Sequence, residues 1–243
     1  MEIYGGRASY NSVSFTGEKY QALARFKDGI NKTEVRLKKK NRITTILSRI
    51  PFVRSYSMIL ELILEHWRRF LFAIVFSFFM EFLFIGTSNS YLLHTIQISI
   101  LELLFFFLVL AGLIIKLTPI GKYHAAEHMT ANAFDSSLKL TIENVRRQPR
   151  VHKDCGTNLV VSIVLCFSVL SLILEDSVFL FLLTWAIGFE LWKGEPKVIW
   201  DLILVIGKVT QYLLFTSKPQ DKHLIVAIEA MKRLEEEELA NER

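Results

Sequence analysis

Cysteine is nearly missing from this chain of 243 residues: Cys155 and Cys166 are its only two, too few for a disulfide framework. Charge is scarce as well, at 22% of residues against 51% hydrophobic, with 19 phenylalanines and a mean hydropathy of +0.34. That balance excludes a disordered chain and argues against an ordinary soluble globule. No apolar leader opens the sequence, because its first 40 residues are polar and basic, so no secretory signal peptide is expected. No internal repeat is evident. The net charge of +5 comes without an aromatic-interleaved or motif-bearing basic groove, so nucleic acid is not expected as a partner.

What the chain does have is long apolar runs between charged blocks. Roughly 20 residues of helix cross a bilayer. Phe70–Thr87 and Tyr91–Leu117 are expected to do so, joined by Ser88-Asn89-Ser90. Asn158–Leu174 and Val178–Leu191 form a second pair around Glu175-Asp176-Ser177. Val198–Phe215 carries Asp201, Lys208 and Gln211 at helical spacing and reads as an interfacial or half-buried helix. The segment before Phe70 holds 14 Lys/Arg and Lys116–Lys153 holds seven, whereas the two short turns hold none. The positive-inside rule therefore predicts four spans with both termini and the central loop in the cytosol. The predicted fold class is mostly α, a multipass membrane helix bundle with a small N-terminal cytosolic β-hairpin region.

Three parts follow from this: a basic β region over 1–49, a helix bundle over 50–216 with a polar loop at 118–157, and a soluble helix over 217–243. In the first, Ala8–Phe15 and Tyr20–Lys27 alternate, and Asp28-Gly29 is a two-residue turn into Ile30–Lys38. In the last, Leu224, Ile228, Met231 and Leu234 share one helical face.

The polar loop concentrates chemistry. His124, His128 and His152 fall within it, with Glu127 and Cys155. Thr118-Pro119 suits a helix start, and a helix from Pro119 to about Phe134 puts His124 and His128 on one face, close enough to share a metal. His-x-x-Glu-His is the inverted form of the zincin motif, in which the glutamate acts as base. By itself the pattern is equally that of a surface helix with two solvated histidines. His152 and Cys155, three apart before Gly156, add two donors of the kind zinc prefers. Thr141 can cap a short helix over Ile142–Arg147, ended by Pro149, that brings the second pair back over the first.

Three blocks, Tyr123-His124-Ala125-Ala126-Glu127-His128, Leu140-Thr141-Ile142-Glu143-Asn144-Val145 and Arg150-Val151-His152-Lys153-Asp154-Cys155-Gly156-Thr157, resemble the YqhQ-like family of bacterial membrane proteins, domain of unknown function 1385. The likeness extends to Ile50-Pro51-Phe52-Val53-Arg54, Gly188-Phe189-Glu190 and Thr216–Pro219. It implies a metal-dependent enzyme in a bacterial cell membrane. The family's opening glycine-rich block reads here Gly5-Gly6-Arg7-Ala8-Ser9-Tyr10-Asn11, with Asn11 where that block has a carboxylate.

Two functions are expected. In one, the protein is a membrane hydrolase holding zinc or another divalent first-row metal at the cytosolic interface, with a lipid or a membrane-proximal peptide as substrate. His124, His128 and either His152 or Cys155 bind the metal there, one position is left for water, and Glu127 is the base. In the other, all four donors close a structural zinc site in a membrane scaffold or partner-binding protein. Glu143 and Glu190 are weaker candidates for orienting a ligand histidine.

Overall fold

The computed structural model describes residues 5–27, 29–38, 42–85 and 99–240, and the side chains within these except 80–85. Two compact units emerge, one built from Met1–Lys39, Phe105–Ser162 and Glu195–Arg243, the other from Lys40–Leu104 and Ile163–Gly194. The expected loop Ser88–Ser90 and His94 lie outside the described residues.

The first unit begins with four antiparallel strands in sequence order, β1 (Gly5–Ala8), β2 (Ser12–Thr16), β3 (Tyr20–Lys27) and β4 (Ile30–Leu37). The predicted run Ala8–Phe15 is therefore broken. Ser9 N–H donates to Ser12 O at 2.9 Å, and the Asn11 amide donates to Phe26 O at 3.3 Å, so the chain reverses there and gains a strand. The turn before Ile30 is where the sequence puts it, with Gly29 at φ 79°.

One face of the sheet carries Val13, Phe15, Ala22 and Ala24, all fully buried. Against it lie α5 (Pro119–Asp135) and α10 (Asp221–Ala240). Leu224, Ile228, Met231 and Leu234 of α10 are buried at the predicted helical spacing, and Ala126, Met129 and Ala133 of α5 complete the core. The alanines on both sides let helix and sheet approach closely, while each buried Leu or Met contributes about 1.5–3 kcal/mol by leaving water. Glu238, 3% exposed, fixes α10 to the sheet: its Oε1 accepts from the backbone N–H of Lys19 at 2.8 Å and Tyr20 at 2.9 Å.

The same unit holds α6 (Ile142–Arg146), the start of α7 (Gly156–Leu170), and α9 (Lys197–Thr210) running into a π-turn at Gln211–Phe215. Thr141 Oγ1 accepts from Asn144 N–H at 3.3 Å, the predicted cap. Pro119 opens α5 as predicted, but the Thr118 hydroxyl donates back to Ile115 O at 3.1 Å instead of capping. On α9 and the π-turn, Trp200, Ile203, Gly207, Gln211 and Phe215 form a buried stripe, and Leu202, Val205 and Val209 are exposed.

The second unit contains α1 (Arg42–Leu47), α2 (Arg54–Glu65), α3 (Trp67–Ile85), the first turn of α4 (Ile100–Leu117), the rest of α7, and α8 (Val178–Gly194). Arg54 forms an ion pair with Glu190, and Phe52 N–H donates to Glu190 Oε1 at 2.8 Å. Two of the family-like blocks thus meet through one carboxylate. Phe72, Phe76 and Phe78 on α3 are exposed in a concentration that soluble surfaces seldom carry. Among the described residues two helices are long and apolar enough to cross a membrane, Ile100–Leu117 and Lys197–Phe215.

Candidate metal centre

Helix α5 lays out the site. His124, Glu127, His128, Ala131 and Asp135 recur at intervals of three and four, so one side of the helix carries four polar groups in a row. The floor opposite is β1 and β2, and the segment from His152 to Gly156 closes the remaining side. Together they enclose a cavity of about 120 Å³, lined also by Gly5, Gly6 and Phe15.

Backbone carbonyls orient the two helix histidines. His124 Nδ1 lies 3.3 Å from Phe215 O and His128 Nδ1 lies 2.9 Å from Arg150 O. A carbonyl only accepts, so each Nδ1 carries the proton and each Nε2 presents a lone pair. The rings are 4.2 Å apart, centre to centre, and tilted by 57°. His124 Nε2 is 3.7 Å from Cys155 Sγ and 3.8 Å from Glu127 Oε2, and His128 Nε2 is 3.6 Å from that same oxygen. Two donors on one tetrahedral zinc stand about 3.3–3.6 Å apart, so these separations lie at or just above the spacing that a shared ion requires. The donor atoms of His124, His128 and Cys155 all lie within 4.8 Å of one another.

His152 is placed differently. Its Nδ1 accepts from Asp154 N–H at 3.2 Å, and its Nε2–H donates to Asp135 Oδ2 at 3.1 Å. Its ring is 6.0 Å from that of His128, centre to centre. Of the four predicted donors the structure thus gathers His124, His128 and Cys155, with Glu127 beside them, and sets His152 in an adjacent cluster with Asp135 and Asp154. Asp135 enters only with the structure, although its position seven residues after His128 was the signal for it. Glu143 is exposed and Glu190 is committed to Arg54, so neither touches a site histidine.

Gln211 and Asn158 hold the His152 segment from behind. Gln211 Oε1 accepts from His152 N–H at 2.9 Å, and its Nε2 donates to His152 O and to Asn158 Oδ1, both at 3.1 Å. Both side chains are fully buried. The π-turn carries Gln211 at its start and the Phe215 carbonyl at its end, so one irregular turn positions both halves of the centre.

Burial sets the electrostatics. It pushes the Glu127 carboxyl up to about 8 and the Cys155 thiol up to about 11, the latter opposed by hydrogen bonds to Thr157. Burial also lowers His124, against the pull of the Phe215 carbonyl. His128 falls well below its ordinary value, first through burial and then through His124. Metal-free, the cluster is a set of neutral donors crowded into a buried site, and a cation there would favour the ionised carboxyl and thiol.

A family model described as "Protein of unknown function (DUF1385)" matches residues 30–237. Over an alignment 293 positions long, gaps included, the chain is 28% identical to "Uncharacterized protein YqhQ" of Bacillus subtilis (strain 168), with 95% of this chain and 92% of that protein covered. No solved structure matches. With most of its length inside the family model and its central blocks at one site, the chain belongs to the DUF1385 family.

Proposed function

We propose that the protein is a metal-dependent hydrolase embedded in the bacterial membrane by four spans, with its site on the cytosolic side. The observation that carries this is the pairing of His124 and His128 as Nδ1 donors to backbone carbonyls, which leaves both Nε2 lone pairs facing Cys155 and Glu127. Histidines fixed in this way are ready-made ligands, because binding costs them no tautomer change and little ring reorientation. His124, His128 and Cys155 would hold zinc or a similar divalent ion, which would supply Lewis acidity at the cavity. Glu127 is the group that holds and moves the proton there, since its Oε2 borders both Nε2 atoms within a cavity wide enough for water. Asp135 and His152 form a dyad along the same wall, with the imidazole proton directed at the carboxylate.

A second reading, a closed structural site with Glu127 as fourth donor, draws on the near-equal 3.8 and 3.6 Å distances from Glu127 Oε2 to the two Nε2 atoms. One set of variants tests both. His124→Ala, His128→Ala and Cys155→Ser should each lose the metal that the purified protein carries, measured by elemental analysis. Glu127→Gln should keep the metal and abolish the cellular phenotype that depends on the protein. Metal lost together with thermal stability in Glu127→Gln would establish the closed site and overturn the hydrolase.

A further inference from the structure

The cavity has a β-strand as one wall, and that strand is the outermost of its sheet. β1 pairs only with β2 among the described residues. Antiparallel partners alternate between pairs that exchange hydrogen bonds and pairs that do not. The Ser9 N–H to Ser12 O bond fixes the phase: Arg7 and Gly5 exchange bonds with Ser14 and Thr16, while Ala8 and Gly6 sit opposite Val13 and Phe15 without exchanging them. The rest of the sheet agrees, since Gly17 N–H donates to Tyr20 O and Phe26 N–H to Asn11 O, which assigns Phe15 and Val13 to β3. The N–H and C=O of Gly6 and Ala8 therefore point outward from the sheet.

Gly6 is also where the strand meets the chemistry. A Cβ at this position would stand 2.0 Å from Glu127 Oε1 and 2.6 Å from its Cδ. The carboxylate lies directly under the bare backbone, and any side chain at Gly6 would displace it. A backbone pair facing outward and the proton-carrying group of the candidate site thus share one residue.

We infer that β1 is the substrate-binding edge of this site and that it takes an extended peptide as an added strand. This deepens the hydrolase reading and rests on it. Gly6 and Ala8 offer donor–acceptor pairs two residues apart, about 6.8 Å along a strand. A polypeptide backbone repeats its own pairs at that interval, and a lipid headgroup has no such repeat. Strand addition draws its affinity from these main-chain bonds and leaves side chains on alternate faces. A peptide paired with Gly6 sets one of its amides beside Glu127. The bond cleaved is then a peptide C–N bond. The oxygen of one water joins the carbonyl carbon, the C–N bond breaks, one water proton goes to the departing amine, and the other remains with the new carboxyl group.

The test uses the full-length protein in detergent, freed of metal so that nothing is cleaved, and two fluorescent probes. One is an alternating Thr-Val hexapeptide; the other is the same peptide N-methylated at every residue, so that neither edge of it can donate to β1. The plain peptide should bind and slow exchange of the Gly6 and Ala8 amides, and the methylated one should bind at least tenfold more weakly. Ala8→Pro removes one outward N–H while sparing the bonds to β2. It should weaken the plain peptide at least tenfold, with Ala8→Val binding like the parent. Equal binding of the two probes to the parent protein overturns the inference without reference to any variant. So does the absence of peptide binding at millimolar concentration, undiminished binding to Ala8→Pro, or protection of the two amides by phosphatidylglycerol vesicles alone. Metal content, measured on the same preparations before chelation, separates the two readings: intact metal with no edge binding sinks the peptide and leaves the hydrolase, and a preparation without metal sinks the hydrolase.

Discussion

Replacing Glu127 by glutamine should change how the metal-free protein responds to pH, and the structure sets the size of the effect. Glu127 is 6% exposed, and burial moves its carboxyl from 4.5 to about 8. The folded chain therefore binds this proton more tightly than the unfolded chain does. Its contribution is fully present below about pH 4.5 and is lost as pH rises through about 8, where it levels off. The interval corresponds to about 5 kcal/mol at most, an upper limit because a cavity of about 120 Å³ admits water around the carboxylate. Glutamine is neutral throughout, so Glu127→Gln should remove this slope and unfold at a higher temperature than the parent at pH 8. At pH 5 the two should be close. His124 and His128 work in the opposite sense, since their lowered values cost stability as pH falls below about 6.5, but that cost is common to both proteins and largely cancels in the difference. Thermal unfolding of chelator-treated protein at pH 5, 6.5 and 8 measures it. Parallel curves for parent and variant would refute the buried-carboxyl argument. Restoring the metal should flatten the parent's slope, because a cation favours the carboxylate.

Two further outcomes are expected. A cysteine introduced at Asn89 should react with an impermeant maleimide in intact cells and one at Ser137 should not, with the native cysteines as background; equal labelling would exclude the four-span topology. Glu238→Gln should lower the melting temperature by an amount equivalent to about 1–3 kcal/mol, because two backbone N–H groups lose a charged acceptor at the junction of sheet and α10, and an unchanged melting temperature would show that junction to be dispensable.

The sequence was most legible where one element carries its own pattern. The helix beginning at Pro119, the shared face of His124 and His128, the Gly29 turn and the apolar stripe of α10 follow from periodicity and turn chemistry alone. Groups brought together from distant segments were harder to read. Nothing local indicates that the N-terminal β region and the C-terminal helix form one core with α5, because each stripe reads equally well as facing any partner. The separation of His152 from Cys155 was hidden for a similar reason. Their spacing fits a metal loop, and what divides them is the hold of Gln211 and Asn158 on the backbone of His152, across 59 and six residues of sequence. The extra strand at Gly5–Ala8 depends on a reversal at Ser9–Ser12 made by a backbone bond that no residue type announces.

The groups that aim His124 and His128 are the carbonyls of Phe215 and Arg150, which every amino acid possesses. Substitution at either position alters a side chain and leaves the acceptor in place, provided the π-turn and the segment before His152 keep their course. The centre can therefore drift in sequence around its donors without losing their aim. A scan replacing single side chains would find position 150 far more tolerant than its contact with His128 suggests, whereas at the buried Phe215 any loss would come from packing and not from the aim of His124. The vulnerable points lie one step further back, at residues such as Gln211 that set the path of the backbone.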